Sequence, residues 1–304
     1  MIRIAAPALA EAVLRSCRLD VEALKPGNVS VQAPGHGMSA ADFIRSAEAA
    51  APLLCAPDLS VGERILRSIE ATQRATGCNT NLGIVLLCAP LAHAVVMESP
   101  EGRLRPRLAA VLGSLTLDDA RWAFAAIALA SPAGLGQCAR HDVRGDPRVN
   151  LTEAMAAAQT WDRIAFQYAN DFIEVFDVGV PCIERYIRPG CDDATALRWA
   201  TVACYLRFLA TFRDSHIERK YGPARAEGVR RVAKEVESQF KACENLINAM
   251  PLLQDFDNNL KREGLNPGTS ADLTVASLLA FHLEYLLAGL NREQSCGCSS
   301  SVMG

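Results

Sequence analysis

Apolar residues recur at spacings of three and four along most of the chain, the pattern that amphipathic α-helices produce. The segments with this pattern are 5–23, 40–54, 62–74, 82–96, 120–130, 151–176, 193–212, 225–250 and 271–290. Strand-like alternation, Asn-Gly hairpin signals and internal repeats are absent from the sequence. The pattern therefore predicts an all-α fold with roughly ten helices.

Composition supports a single domain. The chain has 304 residues, and 50% of them are hydrophobic while only 6% are aromatic. Alanine and leucine, which are strong helix formers, must supply most of the core. We predict one compact multi-helix catalytic domain over residues 1–292, followed by a flexible tail rich in cysteine and serine at residues 293–304.

Charge and cysteine usage narrow the class of protein. A formal net charge of -3 argues against binding nucleic acid through bulk charge. Glu11 and Arg15 interrupt the first apolar stretch, and no uncharged run is long enough to cross a bilayer, so we expect no membrane partner. Cys296 and Cys298 alone do not make a zinc site. A reducing cytoplasm is the simplest compartment for a protein with these cysteines. The sequence leaves open whether the chain forms a homo-oligomer.

The first interruption of the helical pattern is Lys25-Pro26-Gly27-Asn28. Proline restricts the backbone of the residue before it, and glycine allows a ligand to approach the main chain. Lys25, Gly27 and Asn28 are therefore candidates for binding an anionic group such as phosphate, with Lys25 expected to be exposed. An ordinary helix-ending turn with a solvated lysine is the alternative.

The second interruption, residues 76–83, precedes an apolar helix. Asn79 and Thr80 are good N-cap residues, and Gly83 would sit in the first turn of that helix. Free amides at a helix N-terminus favour phosphate, and a side chain at Gly83 would crowd it. Simple capping explains Asn79 equally well.

Two later segments add polar groups near helix starts. Residues 266–273 contain a Pro-Gly turn and a hydroxyl residue that can cap the helix that follows, as in the second interruption. Gly268 and Thr269 are therefore candidate phosphate ligands. Asp272 is a candidate catalytic or metal-binding residue. Asp272 could instead act as a helix cap. After an apolar run, Asp214 and His216 form a dense polar group with the basic residues 219 and 220. We assign Asp214 and His216 to catalysis.

Carboxylates in these segments could hold a metal ion. Asp171 and Glu174, three residues apart, would share one face of the predicted helix 151–176, where they would either bind a metal or face water. Together with Asp214 and Asp272 they form a candidate Mg²⁺ site, because Mg²⁺ takes one or two carboxylates plus phosphate oxygens. The sequence thus predicts a phosphorylated, nucleotide-like ligand bound with Mg²⁺ between helix ends.

The order of these segments resembles the triphosphoribosyl-dephospho-CoA synthase family. That family carries an early Lys-Pro-Gly loop, a Thr-Gly-…-Asn-Thr-…-Gly helix start and a late Pro-Gly-…-Ala-Asp-Leu segment. The corresponding residues here are 25–27, 76–83 and 267–273, with a Met-x4-Phe match at residues 38–43. The resemblance spans almost the whole chain and identifies it as a member of the family.

The resemblance implies an all-helical transferase. Such enzymes take ATP as donor, release adenine and attach the triphosphoribosyl group to the ribose of 3'-dephospho-CoA. The family's His-x-Asp-Met loop reads Gly35-His36-Gly37-Met38 here, which makes His36 a further ligand-binding candidate although the Asp is absent. Leu82 replaces a lysine of the family's helix start.

These departures leave two other functions open. A biosynthetic transferase could act on a pyrophosphate-activated intermediate during assembly of a one-carbon coenzyme, methylofuran or tetrahydromethanopterin. A non-catalytic nucleotide-binding protein is a third reading, against which the retained Asp214 and Asp272 argue.

Overall fold

The fold is all-α, as the sequence predicts. The structure, a computed structural model, describes residues 1–131, 142–187, 193–243 and 245–297, the segment 293–297 as backbone only. Within these ranges there are fourteen α-helices and no strand. The helices are α1 Ala6–Glu22, α2 Ala40–Leu54, α3 Val61–Thr76, α4 Leu82–Val96, α5 Leu104–Gly113, α6 Leu117–Ala130, α7 Leu151–Ala158, α8 Arg163–Ala169, α9 Val180–Glu184, α10 Ala194–Thr211, α11 Ser215–Tyr221, α12 Pro223–Ala242, α13 Met250–Arg262 and α14 Gly268–Gly297.

Two helices form the centre of the molecule. Helix α4 is apolar on all sides and nearly every residue in it is buried. It packs against α14, which also contacts α1, α5, α9 and α10. A helix that is hydrophobic all round belongs in a core, and this pair places the starts of α4 and α14 at one end of the bundle.

Helix α14 also has the length of a membrane span. In the described part of the chain, only Gly268–Arg292 is long and apolar enough to cross a membrane by length and composition, and 61% of its most apolar window is buried within the fold. The core helix of a globular domain meets the same criterion. The expectation of no membrane partner stays a prediction.

The prediction of one continuous helix over residues 151–176 was wrong. It is divided into α7, α8 and a π-helical turn at Val175–Gly179. Asp171 and Phe172 have φ angles of 48° and 55°, the left-handed region that non-glycine residues rarely adopt. The Gln167 side chain bridges the break, since its carbonyl accepts from the Glu174 amide while its NH₂ donates to the Glu174 carboxylate.

Other boundaries also differ from the sequence pattern. The segment 225–250 is not one helix, because α12 ends at Ala242 and a 3₁₀ turn, Leu246–Ala249, precedes α13. The pattern did not predict α5, α11 or α13 as separate helices. Helix α14 continues to Gly297, so that residues 293–297, assigned to the tail, are helical. Cys298 lies outside the described residues.

Candidate functional site

The loop 24–39 and the starts of α4, α11 and α14 surround a cavity of about 550 Å³. Helices α6, α7 and α8 complete its wall with mainly apolar side chains. The polar and glycine positions of its wall include Asp20, Asn28, His36, Asn79, Thr80, Gly83, Asp162, His216, Arg219, Lys220, Asn266, Gly268 and Asp272. Its main apolar side chains are Met38, Phe124, Ile127, Met155, Trp161 and Ile164. The segments that interrupt the helical pattern therefore converge on one cavity of the size that small-molecule ligands occupy.

Asp272 presents a carboxyl group to this cavity. Among the described residues, no side chain or amide forms a hydrogen bond with it. Burial raises its pKa well above the ordinary value, and the nearby Asp20 and Asp214 raise it further against the opposing effect of Lys25 and Arg219. Because α14 begins at Gly268, Asp272 lies beyond the first turn and does not cap the helix.

Gly83 makes room for this carboxyl group. A Cβ atom at Gly83 would lie 2.0 Å from Asp272 Oδ2 and 2.9 Å from the Ile164 side chain. The backbone of α4 therefore approaches Asp272 more closely than any other residue type would permit. The sequence suggested that Gly83 leaves space for an anion, whereas the structure shows it in contact with a carboxyl group of the protein.

Lys25 is fully buried and does not line the cavity, contrary to the expected exposed lysine. Its Nζ lies 2.9 Å from Asp20 Oδ1 and donates a hydrogen bond to Asn28 Oδ1. The same ammonium group lies 5.9 Å from the centre of the Tyr205 ring. A buried lysine needs these partners, because an unpaired charge in the interior is costly. Asp20 and Asn28 then stand between Lys25 and the cavity.

Gly27 gives the loop its shape rather than contacting the cavity. Its φ angle is 81°, and a Cβ atom there would lie 2.8 Å from Pro267 Cδ. Its amide donates to Asp257 Oδ1, and its carbonyl is 2.8 Å from His36 Nε2. The loop is thereby fastened to the segment that precedes α14.

Two amide side chains continue this connection at the cavity wall. Asn28 Nδ2 donates to Asn266 Oδ1 over 2.8 Å. Both residues line the cavity, and the Asn28 oxygen is occupied by Lys25. The orientation of Asn28 is therefore fixed by contacts on both sides of its amide group.

Asp214 is a structural residue in this arrangement. One carboxylate oxygen accepts from the amides of His216 and Ile217, and the other accepts from the amide and hydroxyl of Ser270. The Thr269 hydroxyl accepts from the His216 amide over 3.2 Å. Neither Asp214 nor Thr269 lines the cavity, and both join the start of α11 to the start of α14.

Helix α11 supplies the basic side of the cavity. His216, Arg219 and Lys220 line it, and Arg219 pairs with Asp162 Oδ2 at 2.5 Å. Burial lowers the pKa of His216 to about 4, and Arg219, Lys220 and His36 add to this effect. His216 is therefore neutral at physiological pH. Gly268 is its neighbour, since a Cβ atom there would lie 3.1 Å from His216 Nδ1.

The residues before α4 also line the cavity. The N-cap residue of α4 is Asn81, not Asn79 or Thr80, and its side chain forms no capping hydrogen bond. Asn79 still satisfies one amide at this helix start, since the Leu82 amide donates to Asn79 Oδ1 over 3.2 Å. The Thr80 hydroxyl is hydrogen-bonded to Ser46 on α2. Both Asn79 and Thr80 line the cavity.

The four carboxylates expected to bind Mg²⁺ do not come together. Asp171 is exposed in the left-handed turn, and Glu174 is paired with Arg163. Asp214 is saturated by its four donors, which leaves Asp272 as the one of the four on the cavity wall. Within the described residues, no group of three or more His, Cys, Asp or Glu side chains could hold a metal ion.

Sequence reasoning missed Asp20 and did not single out Asn266 or Arg219. Asp20 lies on the buried face of the amphipathic helix α1, and its side chain is ion-paired at the cavity wall. An acidic residue at a position of the apolar face, close to a Lys-Pro-Gly loop, was the available signal. Nothing in the local pattern marks Asp162, which pairs with Arg219 from a distant part of the chain.

The fold and the cavity define a class of protein, one that is all-helical in its described residues and whose helix starts surround a cavity of the size that small-molecule ligands occupy. The family described as ATP:dephospho-CoA triphosphoribosyl transferase matches residues 6–290. The chain belongs to this family of transferases.

Structural comparison agrees on the fold. The chain superposes with a TM-score of 0.60 on a crystal structure from Archaeoglobus fulgidus that is provisionally described as a triphosphoribosyl-dephospho-CoA synthase. The two sequences are 21% identical, and the match covers 79% of this chain and 97% of the other. No curated protein matches the sequence. A role in one-carbon coenzyme assembly is not favoured by these findings.

Proposed function

We propose that this chain transfers the triphosphoribosyl group of ATP to a hydroxyl group of 3'-dephospho-CoA and releases adenine. The family match supports the reaction. One structural observation supports this cavity as the place where it occurs. Segments predicted to bind phosphate from three separate parts of the chain, represented by Asn28, Asn79 and Gly268, meet on one wall beside the unpaired carboxyl group of Asp272.

The cavity offers different surroundings to the two ends of a nucleotide. Arg219 and Lys220 provide positive charge, and the start of α4 adds the partial positive charge of a helix N-terminus, both of which suit a triphosphate. Phe124, Met155 and Trp161 provide the apolar and aromatic surface on which a purine can pack. These groups take over the role of the basic residue at the family's helix start, a position that Leu82 occupies in this chain.

Mg²⁺ belongs to this proposal in a narrower form than the sequence suggested. The described residues do not fit a metal site built by the protein alone, since only Asp272 of the four expected carboxylates reaches the cavity. Mg²⁺ retains most of its waters and binds readily to phosphate oxygens. We therefore propose that the donor is the magnesium complex of the nucleotide, with the ion arriving as part of the substrate.

The reaction exchanges one bond at the anomeric carbon for another. The C1'–N9 bond breaks and its electron pair leaves with adenine, while an oxygen of the acceptor forms a bond to C1'. The acceptor hydroxyl loses a proton and the departing purine gains one. An acceptor hydroxyl held against C1' in the cavity favours transfer to the acceptor over hydrolysis.

We also propose a cytoplasmic location, where ATP and dephospho-CoA are available. The described cysteines are free thiols, which a reducing compartment preserves. The oligomeric state stays open.

The test is incubation of the purified protein with ATP, Mg²⁺ and 3'-dephospho-CoA, followed by chromatography for free adenine. We expect adenine to accumulate only when the acceptor is present. A matched reaction with an Ala158→Phe variant, which fills the apolar wall of the cavity, should release far less. Formation of ADP, AMP or no product at all in place of adenine would overturn the proposal.

A further inference from the structure

We propose that two carboxyl groups at the cavity wall divide the proton transfers of this reaction, with Asp272 as the general acid for the departing purine and Asp20 as the general base for the acceptor hydroxyl. Lys25 is then a positioning residue that acts through Asp20. This inference rests on the function proposed above, because it assigns residues to that reaction.

The reaction requires both proton transfers. A purine anion is a poor leaving group, and protonation of a ring nitrogen allows it to depart as neutral adenine. A hydroxyl group is a weak nucleophile until its proton is removed. An acid and a base placed for these steps contribute about 10²–10⁴-fold each to the rate.

Asp272 has the surroundings of a carboxylic acid that keeps its proton. It lines the cavity without a hydrogen bond from any described residue, and the absence of a side chain at Gly83 leaves room for its Oδ2 atom. The charged and titratable groups around it are Asp20 from α1, Lys25 from the loop, Asp214 and Arg219 at α11, and Cys88 from α4. Two of these are carboxyl groups, and the balance raises the pKa of Asp272 well above its usual value.

Asp20 is the carboxyl group of the two that has a cationic partner. Its Oδ1 lies 2.9 Å from the ammonium group of the fully buried Lys25. Burial raises the pKa of Asp20 above its usual value, and the charge of Lys25 offsets only part of this rise, whereas the pKa of Asp272 is raised well above its usual value. A carboxyl group in contact with an ammonium group gives up its proton more readily than a neighbouring one without such a partner, which suits Asp20 to the base and Asp272 to the acid.

The other acidic and histidine side chains near the wall have partners of their own: Asp142 pairs with Arg144, and His36 Nε2 lies 2.8 Å from the Gly27 carbonyl oxygen. Asp162 caps α8 and pairs with Arg219. Asp214 accepts four hydrogen bonds and does not reach the cavity. His216 is neutral, with a pKa of about 4, and lies beside the cations of α11 where the triphosphate would bind.

The proposed steps balance. Asp272 gives its proton to the purine as C1'–N9 breaks, and Asp20 takes the proton of the acceptor hydroxyl as O–C1' forms. After one turnover Asp20 is protonated and Asp272 is ionised, and one proton passed from Asp20 to Asp272 restores the starting state. No oxidant, reductant or further reactant is needed.

The decisive experiment compares two donors. With ATP the base needs a proton to leave, whereas a 7-methylpurine nucleoside 5'-triphosphate carries a positive charge on its base and departs without one. Single-turnover rates of base release are measured for wild type, Asp272→Asn and Asp20→Asn, with dephospho-CoA as acceptor. Both variants keep the shape of the side chain, and thermal melting confirms that they fold.

We expect Asp272→Asn to lose about 10²–10⁴-fold with ATP and to approach the wild-type rate with the methylated donor. Asp20→Asn should be impaired with both donors. Equal impairment of Asp272→Asn with both donors would exclude it as the acid, and wild-type rates for Asp20→Asn would exclude it as the base. Failure of the wild type to release adenine from ATP would refute the proposed function instead.

The positioning role of Lys25 has its own measurement. Without the ammonium group, Asp20 holds its proton to higher pH, so that Lys25→Met should move the acid limb of the pH–rate profile upwards and lower kcat with little change in KM. Lys25→Arg keeps the charge and should keep that limb near its wild-type position. A raised KM with an unmoved acid limb in both variants would show that Lys25 acts on substrate binding.

Discussion

At the scale of single residues, the lysine of the Lys-Pro-Gly loop shows why a motif does not reveal the direction of a side chain. The sequence places Lys25 in a loop of the kind that binds phosphate, yet its ammonium group is buried between Asp20 and Asn28. Lys25→Ala would leave the Asp20 carboxylate without its partner. Breaking a buried ion pair in this way costs about 3–5 kcal/mol.

We therefore expect Lys25→Ala to lower the free energy of unfolding by that amount, measured by urea denaturation. The double variant Asp20→Asn/Lys25→Ala is the control, since it removes both charges and should recover part of the loss. Unchanged stability in the single variant would contradict the buried ion pair.

Gly83 gives a second prediction at this scale. An alanine Cβ would meet the Asp272 carboxyl group at 2.0 Å, so Gly83→Ala must displace that side chain. We expect adenine release to fall at least about tenfold and stability to fall by about 1–3 kcal/mol, the usual cost of overpacking. Gly228→Ala is the matched control, because its Cβ meets nothing within 4 Å. That control should gain up to about 1 kcal/mol of helix stability and keep full activity.

His216 links one residue to the pH dependence of stability. Its pKa is about 4 in the folded protein and about 6.5 in an unfolded chain. The unfolded chain therefore binds more protons between these values, so stability is complete above about pH 6.5 and is lost as the pH falls towards 4. His216→Gln should lose less stability than the wild type across this window, as thermal melting at several pH values will show. Parallel pH curves for the two proteins would rule out this linkage.

At the scale of the helices, Asp214 joins two of them. It was assigned to catalysis from its position in a dense polar segment, but its oxygens accept from the amides that open α11 and from Ser270 near the start of α14. No sequence pattern distinguishes an acidic residue that caps one helix from one that holds two helix starts together. The second partner lies 56 residues away along the chain.

Asp214→Ala should consequently be destabilising by about 2–4 kcal/mol, the sum of a lost cap and two unsatisfied donors. Asp193→Ala is the comparison, since Asp193 is exposed and caps only α10. It should cost about 0.5–2 kcal/mol. Chemical denaturation gives both values, and equal losses in the two variants would argue against the linking role.

Helix boundaries followed the sequence where turn residues mark them. Pro-Gly and Gly-rich segments correctly separated α1 from α2 and preceded α4 and α14. The break after α8 was not predicted, because Asp171 and Phe172 adopt positive φ angles and no glycine marks the position in the sequence. The expected carboxylate pair on one helical face disappeared with that helix.

At the scale of the whole molecule, apolar residues spaced three and four apart and an alanine-rich composition were sufficient to predict an all-α fold. They were not sufficient to show which interruptions face each other. Convergence of Asn28, Asn79 and Gly268 on one cavity depends on the packing of α4 against α14, which is a property of the folded chain. Asp20 could be recognised only there, since its role depends on Lys25 beneath it and Asp272 nearby.

The most direct measurement of the central claim is mass spectrometry of dephospho-CoA after incubation with ATP and Mg²⁺, combined with quantification of adenine in the same reaction. We predict that dephospho-CoA gains the mass of one triphosphoribosyl group, that one adenine is released for each modified molecule, and that Asp272→Asn suppresses both products together. Modified dephospho-CoA without equimolar adenine, or an undiminished yield from Asp272→Asn, would contradict it.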